Sequence, residues 1–409
     1  MALRIVMPVF VMILVVSSAY SMTMDEAVGY GLTQNPELRA LRLEEEVARG
    51  QMAKAKLLLI ANPTIGADVS RKGTAPEGGS GFTDYLISLS QEFEIAGQRG
   101  LRINIAEKNL SRILLEIRDR ERTLTYDIKD TFARALASKM KEDLTKEVLH
   151  LQEELLEFTR IKFQAGDVSA LQVNLAEVEL SKAKRDLLES EREYGEALLT
   201  LQGAMGVKPD PLFSVEGELS PAAFSLPDKE RLKTLVASQR PDLKAASVEF
   251  DAARILIDLV RKEAVPNLTL AGYYGQDEKR DLVGFTFSIP IPFFNRKQAE
   301  RREAIARAEQ ARIKRIGVER IVEKEFEETY ANVRSSMEQL SLYKKEIVSK
   351  VLENLGLLNL AFKEGKIGFF DVRVAQRETI DIQFSHLDTM LKARRAMHAM
   401  ERAIGGNLK

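Results

Sequence analysis

The stretch from Leu101 to Ala165 contains neither proline nor glycine. Read as one helix of about 65 residues at 1.5 Å each, it spans roughly 100 Å, far beyond an ordinary globular helix. It stops at one break, Gly166-Asp167-Val168-Ser169, and helical periodicity then resumes to about Ala204. The plan recurs. A second long pattern starts near Arg296, breaks at Gly365-Lys366-Ile367-Gly368, and continues to Ala403. All twelve prolines lie outside these two hairpins. Leu144, Val148, Leu151, Leu155 and Phe158 recur at spacings of four and three, the heptad signature of helices packed side by side at a shallow angle.

Each hairpin is preceded by segments of period two. In the first half Ile65, Ala67 and Val69 alternate with polar or small residues, then Tyr85, Ile87, Leu89 and Phe93 alternate with Asp84, Ser88, Ser90 and Glu92. In the second half Leu268, Leu270 and Tyr274 share one face, and Val283, Phe285, Phe287 and Ile289 alternate with Gly284, Thr286 and Ser288. The expected strands cover about 62–72, 82–94, 266–276 and 281–291. Each is roughly 10 residues long, enough to cross a bilayer when tilted. With no second sheet to cover an apolar face, Tyr85, Ile87, Leu89, Val283, Phe285, Phe287 and Ile289 are expected to face lipid, and Asp84, Ser88, Ser90, Thr286 and Ser288 to line water. The aromatics Phe82, Phe93, Tyr273, Tyr274, Phe293 and Phe294 fall near expected strand ends, as an interfacial girdle or as ordinary β-packing.

The chain therefore reads as a duplicated unit. Arg240-Pro241-Asp242-Leu243 answers Asn35-Pro36-Glu37-Leu38, and Phe163-x-x-Gly166 answers Phe362-x-x-Gly365. The expected organisation is a signal peptide over 1–21, a first repeat over 22–204 with its helical hairpin at about 97–204, a linker over 205–227, and a second repeat over 228–409 with its hairpin at about 296–404. The leader has Arg4, an apolar core from Ile5 to Val16, and small residues at Ala19 and Ser21, giving cleavage after about Ser21.

Composition removes other classes. Lys+Arg is 60 against Asp+Glu 61, so no nucleic-acid footprint is present. Without cysteine there is no disulfide, no thiolate metal site and no lipid-modified N-terminal cysteine. The only histidines, His150, His386 and His398, lack metal-ligand spacing and are expected to be solvated. No catalytic motif, resident metal or cofactor is indicated. Four lipid-facing strands cannot close a barrel, so the protein must oligomerise, with three or more copies, if its strands enter a membrane.

This order of helix, two strands and long hairpin, used twice, with Phe-x-x-Gly-x-x-x-x-Leu/Phe-x-Val at both tips, resembles the TolC family of outer-membrane efflux proteins. The junctions Glu92-Phe93-Glu94-Ile95-Ala96-Gly97-Gln98-Arg99 and Pro290-Ile291-Pro292-Phe293-Phe294-Asn295-Arg296-Lys297-Gln298 resemble the CzcC-like heavy-metal branch, which continues with glycine where this chain has Ala299. The resemblance implies a mainly α fold with a small membrane β part, trimerising into a 12-stranded β-barrel on a 12-helix α-barrel. It implies a homotrimeric exit duct in outer-membrane lipid with a periplasmic helical tunnel. The partners would be a periplasmic adaptor and an inner-membrane transporter of the resistance-nodulation-division type, and the cargo heavy-metal cations. Gly97, Arg99, Pro290, Pro292, Asn295 and Arg296 would form the barrel-to-helix junctions. Gly166 and Gly365 are expected to reverse the chain at the periplasmic tips, with Asp167 and Ser169 capping the departing helix. Asp371 would stand in an acidic ring at the gate, or be an ordinary solvated aspartate favoured by the helix dipole. Val374 stands where the family often has a second acid. A periplasmic adaptor and a coiled-coil scaffold with no channel are the alternatives. An adaptor carries one hairpin with β-rich domains, and a scaffold has no use for the alternating strands.

Overall fold

The computed structural model describes residues 20–73, 81–220, 226–343, 350, 353, 356–358 and 360–408. Most of the expected signal peptide, the core of the loop between the first two strands, and Ile347, Val351 and Leu355 of the second long pattern lie outside those residues.

A strand β1 (Tyr20–Met22) leads into α1 (Met24–Gln34). Thr23 caps that helix: its N–H donates to the Glu26 carboxylate at 2.8 Å while its hydroxyl accepts from the Glu26 N–H at 3.5 Å. α2 (Pro36–Lys56) starts on Asn35, whose side chain accepts from Leu38 N–H at 3.1 Å, and proline opens the first turn. The sequence pattern carries this helix to about Ile60, but it ends four residues sooner. There Arg99 donates to the Lys56 and Leu57 carbonyls at 2.8 and 3.3 Å, so a guanidinium from another element caps the last turn.

β2 (Thr64–Lys72) and β3 (Phe82–Phe93) form a hairpin, and α3 (Gln98–Gln164) follows as one helix of 67 residues. α4 (Ala170–Met205) returns along it. Its C-terminus abuts the N-terminus of α2. Gly206 adopts φ +75°, Asn35 Nδ2 donates to Ala204 O at 3.2 Å, and a Cβ on Gly206 would lie 2.5 Å from Pro36 Cδ. α4 and α2 are thus stacked end to end, and together they line the length of α3.

The second half contains α5 (Lys229–Gln239), α6 (Pro241–Glu263), β5 (Leu268–Asp277), β6 (Arg280–Ser288), α7 (Gln298–Leu342) and α8 (Phe369–Ile404). α8 ends at Gly405, φ +80°, against Gln239 and Arg240 at the start of α6. Here the neutral Asn35 joint is replaced by a charged one. Arg240 is 3% exposed, pairs with Asp242 and Glu325 at 2.7 Å each, and donates to Ala403 O at 3.0 Å. Two sequence expectations fail in this half. α7 ends at Leu342 rather than running unbroken to the tip, and helical residues return at 350, 353, 356–358 and 360–363. No glycine or proline marks the stop. Tyr343 leaves helical dihedrals, and its ring packs 5.3 Å from that of His386. β6 ends at Ser288, so Ile289 lies beyond the strand, because Pro290 and Pro292 cannot donate to a ladder.

The four long strands form one antiparallel sheet in the order β2-β3-β5-β6. The helices that enter and leave it touch in the matching order α2, α3, α6, α7. The chain thus has β2 and α2 on one edge and β6 and α7 on the other. The segment over 205–227 does more than link the two halves. Its strand β4 (Phe213–Val215) pairs in parallel with β1, and Leu219 is buried. Both pack on the central core of Leu38, Leu124, Ile128, Phe132, Leu201 and Met205.

Candidate functional site

The sheet presents one apolar face. Register places Ile65, Ala67 and Val69 opposite Leu89, Ile87 and Tyr85. Leu89 and Ile87 stand opposite Gly272 and Tyr274, which in turn face Phe285 and Val283, while Leu270 faces Phe287. These side chains are open to the surroundings: Phe285 is 90% exposed, Val283 and Phe287 76%, and Ile65 75%. A soluble antiparallel sheet would cover such a face. The Phe285 ring lies across Gly272, 3.5 Å from where a Cβ would be, and the Tyr273 hydroxyl similarly crowds Gly284 on the other face. Tyr273 and Tyr274 are therefore mid-strand cross-strand partners rather than residues at strand ends.

On the polar face Ser88, Ser90, Thr286 and Ser288 sit as their alternation requires. Asp84 does not stand free in water. It is 7% exposed, accepts from Glu278 N–H at 2.9 Å, and lies 3.3 Å from Lys72 Nζ. Lys72 also bonds Asp277 and Glu278, tying β2 to the β5–β6 turn across the loop end of the sheet. β2 and β6 are the outer strands, and neither outer edge has a partner among the described residues.

At the opposite end of the sheet the backbone passes into helices through two matched turns. Gly97 adopts φ +79° and Lys297 φ +60°. Gln98 Oε1 accepts from Ala96 N–H at 2.9 Å, and Gln298 Oε1 accepts from Arg296 N–H at 2.7 Å. Gln98, 2% exposed, also reaches Asn267 and the Lys262 carbonyl at 3.3 and 3.4 Å, joining the two halves of the chain. Asn295 accepts from Lys297 N–H at 2.9 Å. Sequence reasoning misses both glutamines as structural residues, although each holds the same position of its junction sequence. The segment carrying Pro290 and Pro292 leaves Ile291, Phe293 and Phe294 exposed beside the sheet.

The tips repeat each other bond for bond. Gly166 has φ +84°, with Asp167 N–H donating to Lys162 O at 2.9 Å and Gly166 N–H to Phe163 O at 3.0 Å. Gly365 has φ +74°, with Lys366 N–H to Ala361 O at 2.8 Å and Gly365 N–H to Phe362 O at 3.0 Å. Both are Schellman closures. The departing helix α4 is capped by Ser169 with Gln172, whose side chain accepts from Ser169 N–H at 2.8 Å. Asp167 contributes only its backbone to the turn. Asp371 is the equivalent of Gln172: exposed, it accepts from Gly368 N–H at 3.2 Å. The two tips lie side by side. Leu155, Leu156, Ala176, Phe362, Phe369 and Val372 share one cluster, Lys363 sits 4.0 Å over the Phe158 ring, and Arg373 pairs with Glu179 at 2.7 Å.

The histidines do not form a site. No group of three or more metal-ligating side chains is assembled among the described residues. His398 is not solvated as its sequence suggested. It is 5% exposed, and burial, reinforced by the Lys129 and Arg394 cations, pushes its pKa down to about 3. It lines a cavity of about 170 Å³ with Arg122, Tyr126, Lys129, Glu401 and Arg402. Among the described residues no helix is long and apolar enough to cross a membrane.

This geometry has counterparts. The family model for outer membrane efflux proteins matches residues 31–207 and 233–406. The cobalt-zinc-cadmium resistance protein CzcC of Cupriavidus metallidurans is 21% identical over 392 residues, spanning 95% of this chain and 91% of its own. The pyoverdine export outer membrane protein OpmQ of Pseudomonas aeruginosa is 25% identical over 313 residues, 70% of this chain and 65% of its own. The solved structure of CusC, whose description refers to transmembrane channel formation, superposes with a TM-score of 0.76 at 18% identity, covering 94% of this chain and 92% of the other.

Proposed function

The chain belongs to the outer membrane efflux protein family, a family of channels rather than enzymes, and we propose that three copies close its sheet into a 12-stranded barrel standing on a barrel of long helices. The carrying observation is the four-stranded sheet with an exposed apolar face and two unpartnered edges. β2 and β6 run in opposite directions, so β6 of one copy pairs antiparallel with β2 of the next, and α7 meets α2 of that neighbour. The apolar face then meets outer-membrane lipid, and the face carrying Ser88, Ser90, Thr286 and Ser288 meets water. A helix of 67 residues carries the tips about 100 Å from the barrel, into the periplasm. There Gly166 and Gly365 hold the turns that dock an adaptor, with an inner-membrane transporter of the resistance-nodulation-division type beyond it. The duct conducts passively. CzcC is named for cobalt, zinc and cadmium resistance and OpmQ for pyoverdine export. The near full-length likeness to CzcC supports heavy-metal cations as cargo.

Arginine at Leu89 or Phe287 tests the membrane assignment, because it would place a charge in lipid at a cost of about 2–4 kcal/mol near the midplane. Both variants are expected to lose outer-membrane assembly on fractionation. Wild-type yields of assembled protein from both would reject a lipid-facing role for this face.

A further inference from the structure

The exposed apolar face of the sheet does not stop where its ladder does. Val283, Phe285 and Phe287 lie in β6, and Ile289, Ile291 and Phe293 continue the alternation beyond it. Ile291 is 85% exposed and Phe294 87%, and the Phe293 and Phe294 rings pack edge to face with centroids 5.0 Å apart. Pro290 and Pro292 have no N–H, and the Phe293 N–H donates to Ile291 O at 2.9 Å, so the stretch offers few free donors where it leaves the ladder. The other edge has a counterpart: Leu57, Leu58 and Ile60, all exposed, lead from α2 into β2. Register puts Thr64 of β2 and Ser288 of β6 at the same end of the sheet, where the helices begin.

Cations stand beside both apolar stretches. Lys54 and Lys56 lie in the last turn of α2, Arg296 precedes α7, and Arg301 and Arg302 lie near its start. All of these side chains are exposed, and none pairs with an acid among the described residues. The neighbouring acids of α7 are engaged, Glu300 with Lys297 at 3.1 Å and Glu303 with Arg307 at 2.5 Å. On α2, Glu45 and Glu46 face Arg49, and Glu44 is roughly 15 Å along the helix from Lys54. Glu263 ends α6, an inner helix of the row.

Head-to-tail closure sets α7 of one copy against α2 of the next. Both groups of cations then share one seam, with no free acid at their level on either helix, and like charges so placed repel. A bridging anion removes that repulsion. The flanking apolar stretches ask more of it, because a soluble anion would leave them bare. An amphipathic anion answers both. In the outer membrane this end of the sheet lies at the periplasmic leaflet, and the apolar stretches continue the lipid-facing surface. We propose that each seam holds an anionic phospholipid of that leaflet. Its phosphodiester lies between Lys54 and Lys56 of one copy and Arg296, Arg301 and Arg302 of the next, and its acyl chains run along the exposed side chains on either side. The lipid thereby becomes part of the subunit contact. The proposal rests on the head-to-tail ring of the functional reading above.

Native mass spectrometry tests it on the full-length trimer, purified from outer membranes, stripped of lipid in mild detergent and titrated with phosphatidylglycerol. Up to three lipids should bind per trimer. Phosphatidylethanolamine, whose headgroup carries its own ammonium, should bind at least about fivefold more weakly, and millimolar inorganic phosphate should not displace the bound lipid. Arg301→Gln combined with Arg302→Gln should weaken phosphatidylglycerol binding about 30-fold and leave trimers intact, since it relieves repulsion. Arg301→Lys with Arg302→Lys should retain binding. Equal affinity for the two lipids, displacement by phosphate, unchanged binding in the glutamine variant, or equal losses in the glutamine and lysine variants would each overturn the proposal. The same spectra report assembly. Trimers that take up no phosphatidylglycerol would refute the seam lipid alone, whereas absence of trimers from the wild type would refute the ring beneath it.

Discussion

His398 is a neutral imidazole held within range of two cations, Lys129 and Arg394, and of two acids, Asp130 and Glu401, the latter paired with Lys129 at 2.7 Å. Its folded pKa, about 3, lies below the ordinary 6.5. The unfolded state therefore binds the proton more readily, and stability is lost as pH falls from about 6.5 toward 3. At pH 5 the loss is about 2 kcal/mol per protomer. His398→Leu should flatten that part of the stability curve while leaving pH 7.5 stability within about 1 kcal/mol; a variant with the wild-type acid slope would place the effect elsewhere. Asp371 poses a different question at the same scale. Its bond to Gly368 N–H makes it a helix-capping carboxylate whatever else it does. If three copies also form an acidic ring, Asp371→Asn should lower the cation selectivity of opened, reconstituted channels with trimer yield intact. Unchanged selectivity would leave capping as its whole role.

The tips are elements whose shape depends on two dihedrals. A side chain at Gly166 or Gly365 must adopt φ near +80°, which costs roughly 1–2 kcal/mol locally and leaves the remote barrel untouched. Glutamate at both positions should therefore abolish export in a resistance assay while trimers still reach the outer membrane. Retained export would separate the tips from docking. These tips were legible because glycine stands where the long helical pattern stops, Gly166 directly after a run from Leu101 to Ala165 that has no glycine or proline. So were the strands, since Tyr85, Ile87 and Leu89 and their counterparts fall at alternate positions, with Leu86 and Leu282 the large aliphatic residues on the other face. The end-to-end joints were visible only as breaks. Nothing local tells Asn35 that its partner is the Ala204 carbonyl, or Arg240 that it will bury itself between Glu325 and Ala403. The stop of α7 at Leu342 carries no breaker at all, and Lys297 takes a left-handed dihedral that its sequence gives no reason to expect. His398 escapes a sequence reading for a related reason. A histidine between Met397 and Ala399, with charged residues a turn away on a long helix, looks solvated until Lys129 of another helix closes over it.

At the scale of the whole molecule, the chain has two unlike edges, β2 with α2 and β6 with α7. A contact between unlike edges is head-to-tail, and such contacts either close into a ring or grow without limit. The right-handed twist general to β-sheets and the need to leave no strand edge in lipid favour closure. Exposed Leu43 and Val47 on α2, and Ile305, Ile313 and Ile321 on α7, are available to the helical half of the contact. Because the protein has no cysteine, an introduced pair reports alone. With one cysteine at Val69 in β2 and the other moved along β6, residues sharing a face across the new ladder should cross-link: some position among Val283, Phe285 and Phe287 should react, and Gly284 and Thr286 should not. Oxidation in native membranes should give a ladder that ends at three copies, and the largest species should resist dilution in mild detergent. Cross-linking without regard to face would mean that β2 and β6 do not pair between copies. A ladder running past three would replace the closed trimer with a larger ring or an open array, and a stable folded monomer would leave both apolar edges without the partner that their exposure calls for.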